Sequence, residues 1–428
     1  MKSALVLSGG GARGAYEIGV WKALKELKYV PDIITGTSVG ALNGALITMG
    51  EDDLALKIWE NMSMDMVFEK KQEKDINTIN SAADFIVNLG QIGGIDPKPL
   101  KKLLEKVADE RKIRESNIDF GMVVTGLKPK RKIEIYAKDI QDGKIIDYIL
   151  ASSACFPIMK KYKIGEDEYM DGGYCDNTPI NMAIDRGARE LVVVDMPGIF
   201  KLKKIEDVNA KVYYIRPKFD LGNLMIFNKE NSKNNIELGY FDTMKVFNRL
   251  EGNYYTFEKG TVARSLAYNK TCKYLYRKIF TQIPSVGVLE KMATEKINKY
   301  LRDYSSELFE LSSNVLDLLE ITAKTYKIDY LKVYSFKGLT NLIMKEYEKT
   351  RKSQKYKDTI KVLELKEGLS LEELTKVIKG YDLKSIIAYM VDLLQKRELT
   401  VNEKNQILTI TLAMPNYLCA AIYICMAS

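Results

Sequence analysis

The sequence predicts an α/β domain built on a mostly parallel sheet, followed by a mainly α-helical C-terminal domain. Short apolar runs without helical period alternate with helical stretches over the first 250 residues, as strands joined by helical crossovers do. Beyond that point the runs give way to apolar residues at three- and four-residue spacing, laced with Lys, Glu and Tyr. At 428 residues, 46% hydrophobic and 29% charged, the chain is long enough for two or three domains of ordinary folded composition.

The elements are justified in turn. Residues 4–7 (Ala-Leu-Val-Leu) form a short strand, glycines follow, and residues 16–27 have helical periodicity. Residues 33–35 are a second strand that bends at Ser38 into a helix starting at Val39, where Gly40, Ala41 and Gly44 would let that helix lie close to the sheet. Later strands are expected at 122–124, 191–194 and 212–215. Helical segments are expected at 289–308, 311–323, 339–347, 371–379 and 383–396. The boundary falls near 255–285, around the turn-prone "EGNYYTFEKG" and Pro284, which gives domains at 1–255 and 256–428. No repeat of fixed period is evident.

Composition narrows the chemistry. The chain contains no histidine, which removes most zinc, copper and non-haem iron site types, and neither a metal nor a cofactor is expected. Five cysteines, odd in number and without a C-x-x-C pair, read as reduced thiols of a cytoplasmic protein. The N-terminus enters an apolar strand within a few residues, so no signal peptide is expected, and no run of eighteen apolar residues suggests an integral span. The net charge of +8 is uneven: residues 1–250 carry 37 Lys and Arg against 36 Asp and Glu, whereas 251–428 carry 28 against 21. That excess suggests either an anionic partner for the C-terminal part or a solvated Lys-rich surface.

Three motifs carry the chemistry. Gly9-Gly10-Gly11-Ala12-Arg13-Gly14 lies between a strand and a helix, where glycines let backbone N–H groups crowd round an anion. Such a loop can hold a phosphate or serve as an oxyanion hole. It also satisfies G-x-G-x-x-G, but the acidic residue that a dinucleotide site wants after the second strand is absent, Asp32 lying before that strand. Gly36-Thr37-Ser38-Val39-Gly40 fits the elbow that presents a nucleophilic serine. With no histidine, Ser38 needs another base, and Asp171-Gly172-Gly173, otherwise an ordinary turn, supplies a candidate.

In this order and setting the three motifs resemble the patatin-like phospholipase family. The resemblance covers roughly residues 1–250, includes "ASSACFPIM" (151–159) and "DNTPINMAIDRGARELVVVD" (176–195), and shows no departure at the motif positions. It implies a three-layer α/β/α hydrolase that cleaves acyl esters of a phospholipid or lysophospholipid. Ser38 would be the nucleophile, Asp171 the base, and amides around Gly10 and Gly11 the oxyanion donors, with Arg13 at the family's basic position.

The C-terminal part supports several expectations. Its basic excess could lean on an anionic membrane surface, making the protein cytoplasmic and peripheral at the membrane. From Asn405 to Ser428 no side chain is charged, and Pro415 interrupts the run, so no spanning helix is expected; a buried terminal strand and helix is expected rather than an interfacial, lipid-touching tail. Residues 368–412 could also be two helices and a hairpin in winged-helix order, which would make the protein a regulatory or nucleic-acid-binding one with gated hydrolase activity. Asp382, Asp392 and the apolar Ile386-Ile387 argue against such a recognition helix, so nucleic acid is not the expected partner. The sequence leaves the oligomeric state open.

Overall fold

The computed structural model describes residues 1–68, 94–197, 209–265, 287–304, 315–365 and 382–428, together with Ile205 and Gly380. The chain divides into two compact units, Met1–Asn248 and Arg249–Ser428.

The first unit is built on eight strands: β1 Lys2–Leu7, β2 Ile33–Thr37, β3 Asp119–Leu127, β4 Lys130–Tyr136, β5 Tyr162–Ile164, β6 Asp167–Asp171, β7 Ala188–Val194 and β8 Lys211–Ile215. They run in the order β5-β6-β3-β2-β1-β7-β8, with β4 also paired to β3. The pairs from β3 through β2, β1 and β7 to β8 are parallel. Helices follow the strands: α1 Ala15–Glu26, α2 Val39–Thr48, α3 Asp52–Glu60, α4 Met64–Val67, α5 Lys98–Val107, α6 Glu110–Glu115, α7 Ile145–Ser152, α8 Ile180–Asp185 and α9 Lys229–Val246.

The central strands carry buried, mainly apolar runs because both faces are covered, and β2 is buried at every position. Ala4, Val6, Ile33, Leu191 and Val193 pack on one face against Ile180, Ala183 and Ile184 of α8. On the other face α2 lies so close that Gly44 sits over Ile34 and Phe120. Tyr16 of α1 donates a buried hydrogen bond to Asp242 of α9 at 2.8 Å, tying two helices of that layer.

The antiparallel strands at the β3 edge are a departure from the sequence reading. β4 is KRKIEIY, and β5 and β6 are short segments rich in charge. Edge strands are half-solvated, so they lack the apolar run that marks a buried strand.

The second unit holds a two-residue parallel ladder, β9 Thr256–Phe257 with β10 Val333–Tyr334. Its helices are α10 Thr261–Ser265, α11 Gly287–Tyr304, α12 Val315–Thr325, α13 Phe336–Arg351, α14 Gln354–Leu365, α15 Leu383–Gln395, α16 Val401–Ala413 and α17 Pro415–Ala427. Two expectations are corrected here. The hairpin expected before residue 412 and the strand expected near the C-terminus are one helix, α16. Thr400 and Glu403 form a reciprocal capping box at its start. The alternating β-branched "ILTITL" suggested a strand, but burial around the helix overrides that local preference, with Ile407, Leu408 and Ile410 fully enclosed. Ile386 and Ile387 of α15 are core residues. Residues 371–379, Pro284 and Cys272 lie outside the described residues, as do 305–308 and 311–314. The other four cysteines form no disulfide among the described residues. Among the described residues no helix is long and apolar enough to cross a membrane.

Candidate active site

Strand β3 brings Ser38 and Asp171 together. Parallel β2 runs along one edge of β3 and ends with Thr37 opposite Val123. Antiparallel β6 comes the other way along the same edge and ends with Asp171 opposite Val124, because β4 occupies the other edge of both β3 segments. The two strands therefore meet end to end. The Ser38 hydroxyl faces the Asp171 carboxylate across that junction and favours its ionised form.

The elbow itself is strained. Ser38 adopts φ +56°, ψ −124°, a conformation that costs a side-chain-bearing residue about 1–3 kcal/mol unless its surroundings impose it. They do so through hydrogen bonds: the Ser38 amide donates to Ser152 Oγ at 2.9 Å, and Ser152 Oγ donates to the Val123 carbonyl at 2.7 Å. The Thr37 hydroxyl donates to the Asp176 carbonyl at 2.8 Å. Gly36 lies within β2, and Val39 opens α2. Gly40 must be glycine, since a Cβ there would come within 2.5 Å of the Leu7 carbonyl oxygen.

Asp171 is held on both sides of its backbone. Its amide donates to the Ala154 carbonyl at 2.9 Å, and its own carbonyl accepts from Thr125 Oγ1 at 2.9 Å. Gly172 and Gly173 begin a short 3-10 turn, and the Gly173 amide donates to Asp171 Oδ1 at 2.8 Å. Burial pushes the Asp171 carboxyl up to about 6, while the bonds from Ser38 and Gly173 pull the other way. The thiol of Cys155, in the same cavity, is pushed up to about 12 by burial and by the Asp171 charge. It stays protonated at neutral pH and does not compete as a nucleophile.

The glycine loop lies over this pair. Gly9 donates to the Asn177 carbonyl at 3.1 Å, Ala12 to the Leu224 carbonyl at 2.8 Å and Arg13 to the Gly10 carbonyl at 3.2 Å. Among the described residues the amides of Gly10 and Gly11 have no acceptor, which leaves them as the donors the loop can offer a ligand. Gly11 has φ +55°, and a Cβ there would overlap the Leu224 carbonyl. Gly14 closes the loop as the last residue of its 3-10 turn. The Arg13 guanidinium clips the loop to its neighbours, with Nε donating to the Gly222 carbonyl at 2.8 Å and Nη1 to that of Pro197 at 2.6 Å. Asp32 sits at the far end of β2 and accepts from the Ser3 amide at 2.7 Å, away from the loop.

Ser38, Asp171, Cys155 and the loop residues Gly9, Gly10, Gly11 and Arg13 line one cavity of about 120 Å³. Ser38, Asp171, Gly10, Gly11 and Arg13 form its polar part. Leu42, Trp59, Phe68, Leu100, Met159 and Phe227 are among the side chains of its apolar part. Phe227 stacks near Trp59 with centroids 6.5 Å apart. A serine facing a carboxyl of raised pKa beside an apolar hollow can do acyl chemistry on a hydrophobic substrate. Among the described residues no cluster of three acidic or thiol side chains could hold a metal.

Residues 5–184 match the model of the patatin-like phospholipase family. The chain carries a patatin-like phospholipase domain. The mouse "patatin-like phospholipase domain-containing protein 7" is 27% identical over 200 residues, 45% of this chain and 13% of that protein. "Lysophospholipase nte1" of Aspergillus terreus is 27% identical over 197 residues, 46% of this chain and 12% of the relative. The Escherichia coli "cUMP-AMP-activated phospholipase" is 25% identical over 202 residues, 42% of this chain and 57% of the relative. The chain thus spans about an eighth of the length of the first two.

Within the patatin-like domain the fold brings the serine, the aspartate and the loop singled out by the motifs to one cavity. The motif reading missed Ser152, Asn177 and the aromatic lining. Ser152 lies in "ASSACFPIM", whose serines have no local pattern that marks one as the support of a distant amide.

Proposed function

We propose that the patatin-like domain is a serine lipid acyl hydrolase of phospholipase A or lysophospholipase type, working through a Ser38–Asp171 dyad. The observation that carries this reading is the end-to-end meeting of β2 and β6, which sets the Ser38 hydroxyl against a buried carboxylate of raised pKa. The relatives' names point to the same substrate class.

In this mechanism the acyl chain enters the apolar part of the cavity and its ester carbonyl points at the glycine loop. Ser38 Oγ attacks the carbonyl carbon as its proton passes to Asp171. The amides of Gly10 and Gly11 receive the developing oxyanion, such donors being worth about 3 kcal/mol each. Collapse breaks the ester C–O bond, and the leaving alcohol takes the proton from Asp171. Water then attacks the acyl-serine, giving its proton to Asp171, and the released Ser38 oxygen takes that proton back as the fatty acid departs. A carboxyl near 6 is ionised at neutral pH and is a better base than an unperturbed aspartate.

Lipid profiling with wild-type and Ser38→Ala protein tests the reading. Fatty acid released by wild-type alone supports it, and equal release by both overturns it. The assay is run with and without cUMP-AMP, since the name of the Escherichia coli relative makes that nucleotide its activator. The cavity makes a further prediction. Leu42 lies one turn beyond Ser38 on the cavity wall. Leu42→Trp is expected to shift kcat/KM toward short acyl chains by roughly tenfold or more, read from a chain-length series of esters.

A further inference from the structure

We propose that Glu17 is a positioning residue for this site: its buried carboxyl, held through Asn43, locks the glycine loop to the helix that Ser38 heads. The inference rests on the hydrolase reading and adds a residue outside the dyad and the loop.

Glu17 lies on α1, three residues beyond Gly14, and is fully enclosed. Its Oε2 accepts from Asn43 Nδ2 at 2.8 Å, and the second hydrogen of that Nδ2 goes to the Gly14 carbonyl at 3.0 Å. Asn43 Oδ1 accepts from Trp59 Nε1 at 2.8 Å. Gly14 ends the glycine loop, Asn43 stands on α2 five residues beyond Ser38, and Trp59 lines the cavity. One carboxyl–amide pair thus joins the loop, the nucleophile's helix and the cavity wall. Asn43 has its two donors and its acceptor oxygen occupied, so it cannot shift without breaking a bond to one of the three.

The carboxyl is poorly supplied for carrying charge. Its Oε1 has no hydrogen-bond partner among the described residues. Burial raises its pKa to about 8, with Asn43 and the neighbouring Ser8 amide pulling the other way. The charged groups around it are engaged elsewhere. Helix α2 carries none. On α3, Asp52 pairs with Trp21 and Lys25, and Asp53 and Lys57 face solvent. Asp242 of α9 pairs with Tyr16 and Lys245, and Arg13 is bound to two carbonyls. Glu17 is therefore mostly neutral at neutral pH. Ionisation on the alkaline side places a charge in the enclosed network with one side-chain donor to meet it, and the lock loosens.

The experiment compares full-length wild-type, Glu17→Ala and Glu17→Gln on a chromogenic acyl ester between about pH 6 and 9.5, beside hydrogen exchange of the 8–15 segment. Near neutrality Glu17→Ala is expected to lower kcat at least about tenfold with KM within about twofold, while Glu17→Gln stays within about twofold of wild-type. Toward pH 9.5 wild-type activity is expected to fall by about fivefold or more and Glu17→Gln to hold its rate. Wild-type kcat in Glu17→Ala overturns the proposal, as does an equal alkaline fall in Glu17→Gln. If the alanine variant does not fold, the glutamine comparison decides. If wild-type hydrolyses no ester, the hydrolase reading fails, and exchange still tests the lock. Faster exchange in Glu17→Ala than in wild-type supports the lock, and unchanged exchange overturns it.

Discussion

Ser38→Ala and Asp171→Asn are each expected to lower acyl-ester hydrolysis by about 10³-fold or more, the scale at which a nucleophile or its base acts. The two should differ in labelling: a fluorophosphonate reacts with wild-type at Ser38, slowly with Asp171→Asn and not with Ser38→Ala. Full activity in either variant would sink the dyad. Asp171→Asn should also separate function from stability. Folded Asp171 keeps its proton to about pH 6, whereas the unfolded chain releases it near 3.8. The folded state therefore binds more protons across that window, and stability falls as pH rises from about 4 to 6, by up to about 3 kcal/mol. Asparagine escapes this loss. At pH 7 the inactive Asp171→Asn protein is expected to melt above wild-type, the gap closing as pH is lowered through 6 toward 4. In wild-type the same ionisation should appear as a rise of kcat/KM through about pH 6.

Gly11→Ala is the second large effect, with an expected loss of about 10²–10³-fold in kcat. The glycine adopts φ +55°, and an added Cβ would overlap the Leu224 carbonyl, so the loop must move away from the Leu224 segment. That movement takes with it the Ala12 amide bond to the same carbonyl, and so displaces the Gly10 and Gly11 donors from the oxyanion. Gly10→Ala is the control, because its Cβ would meet only the end of the Met196 side chain, which can turn aside. Gly10→Ala is expected to retain most of its activity. Equal kcat in Gly11→Ala and wild-type would remove the loop from the mechanism.

The parallel strands were legible because burial on both faces leaves apolar runs in them, such as "ALVL" and "LVVV". Strands β4, β5 and β6 were not, since a half-solvated strand can be as charged as KRKIEIY and still pair. Helix α16 was misread because "ILTITL" is locally strand-like, and enclosure by other helices with the Thr400–Glu403 cap outweighs that preference.

What the sequence determined by itself was the chemistry on offer. A serine at a glycine-flanked bend, no histidine anywhere and an aspartate before two glycines leave a carboxylate as the candidate base. What only the tertiary structure decided was the meeting of those groups and their energies. Ser38 and Asp171 are 133 positions apart, and their approach depends on β2 and β6 sharing one edge of β3. The raised pKa of Asp171, the Ser152 support and the Glu17–Asn43 lock come from enclosure, which removes water and obliges each polar group to find a partner in the fold. Local sequence carries no record of that enclosure, because it is made by residues distant in the chain.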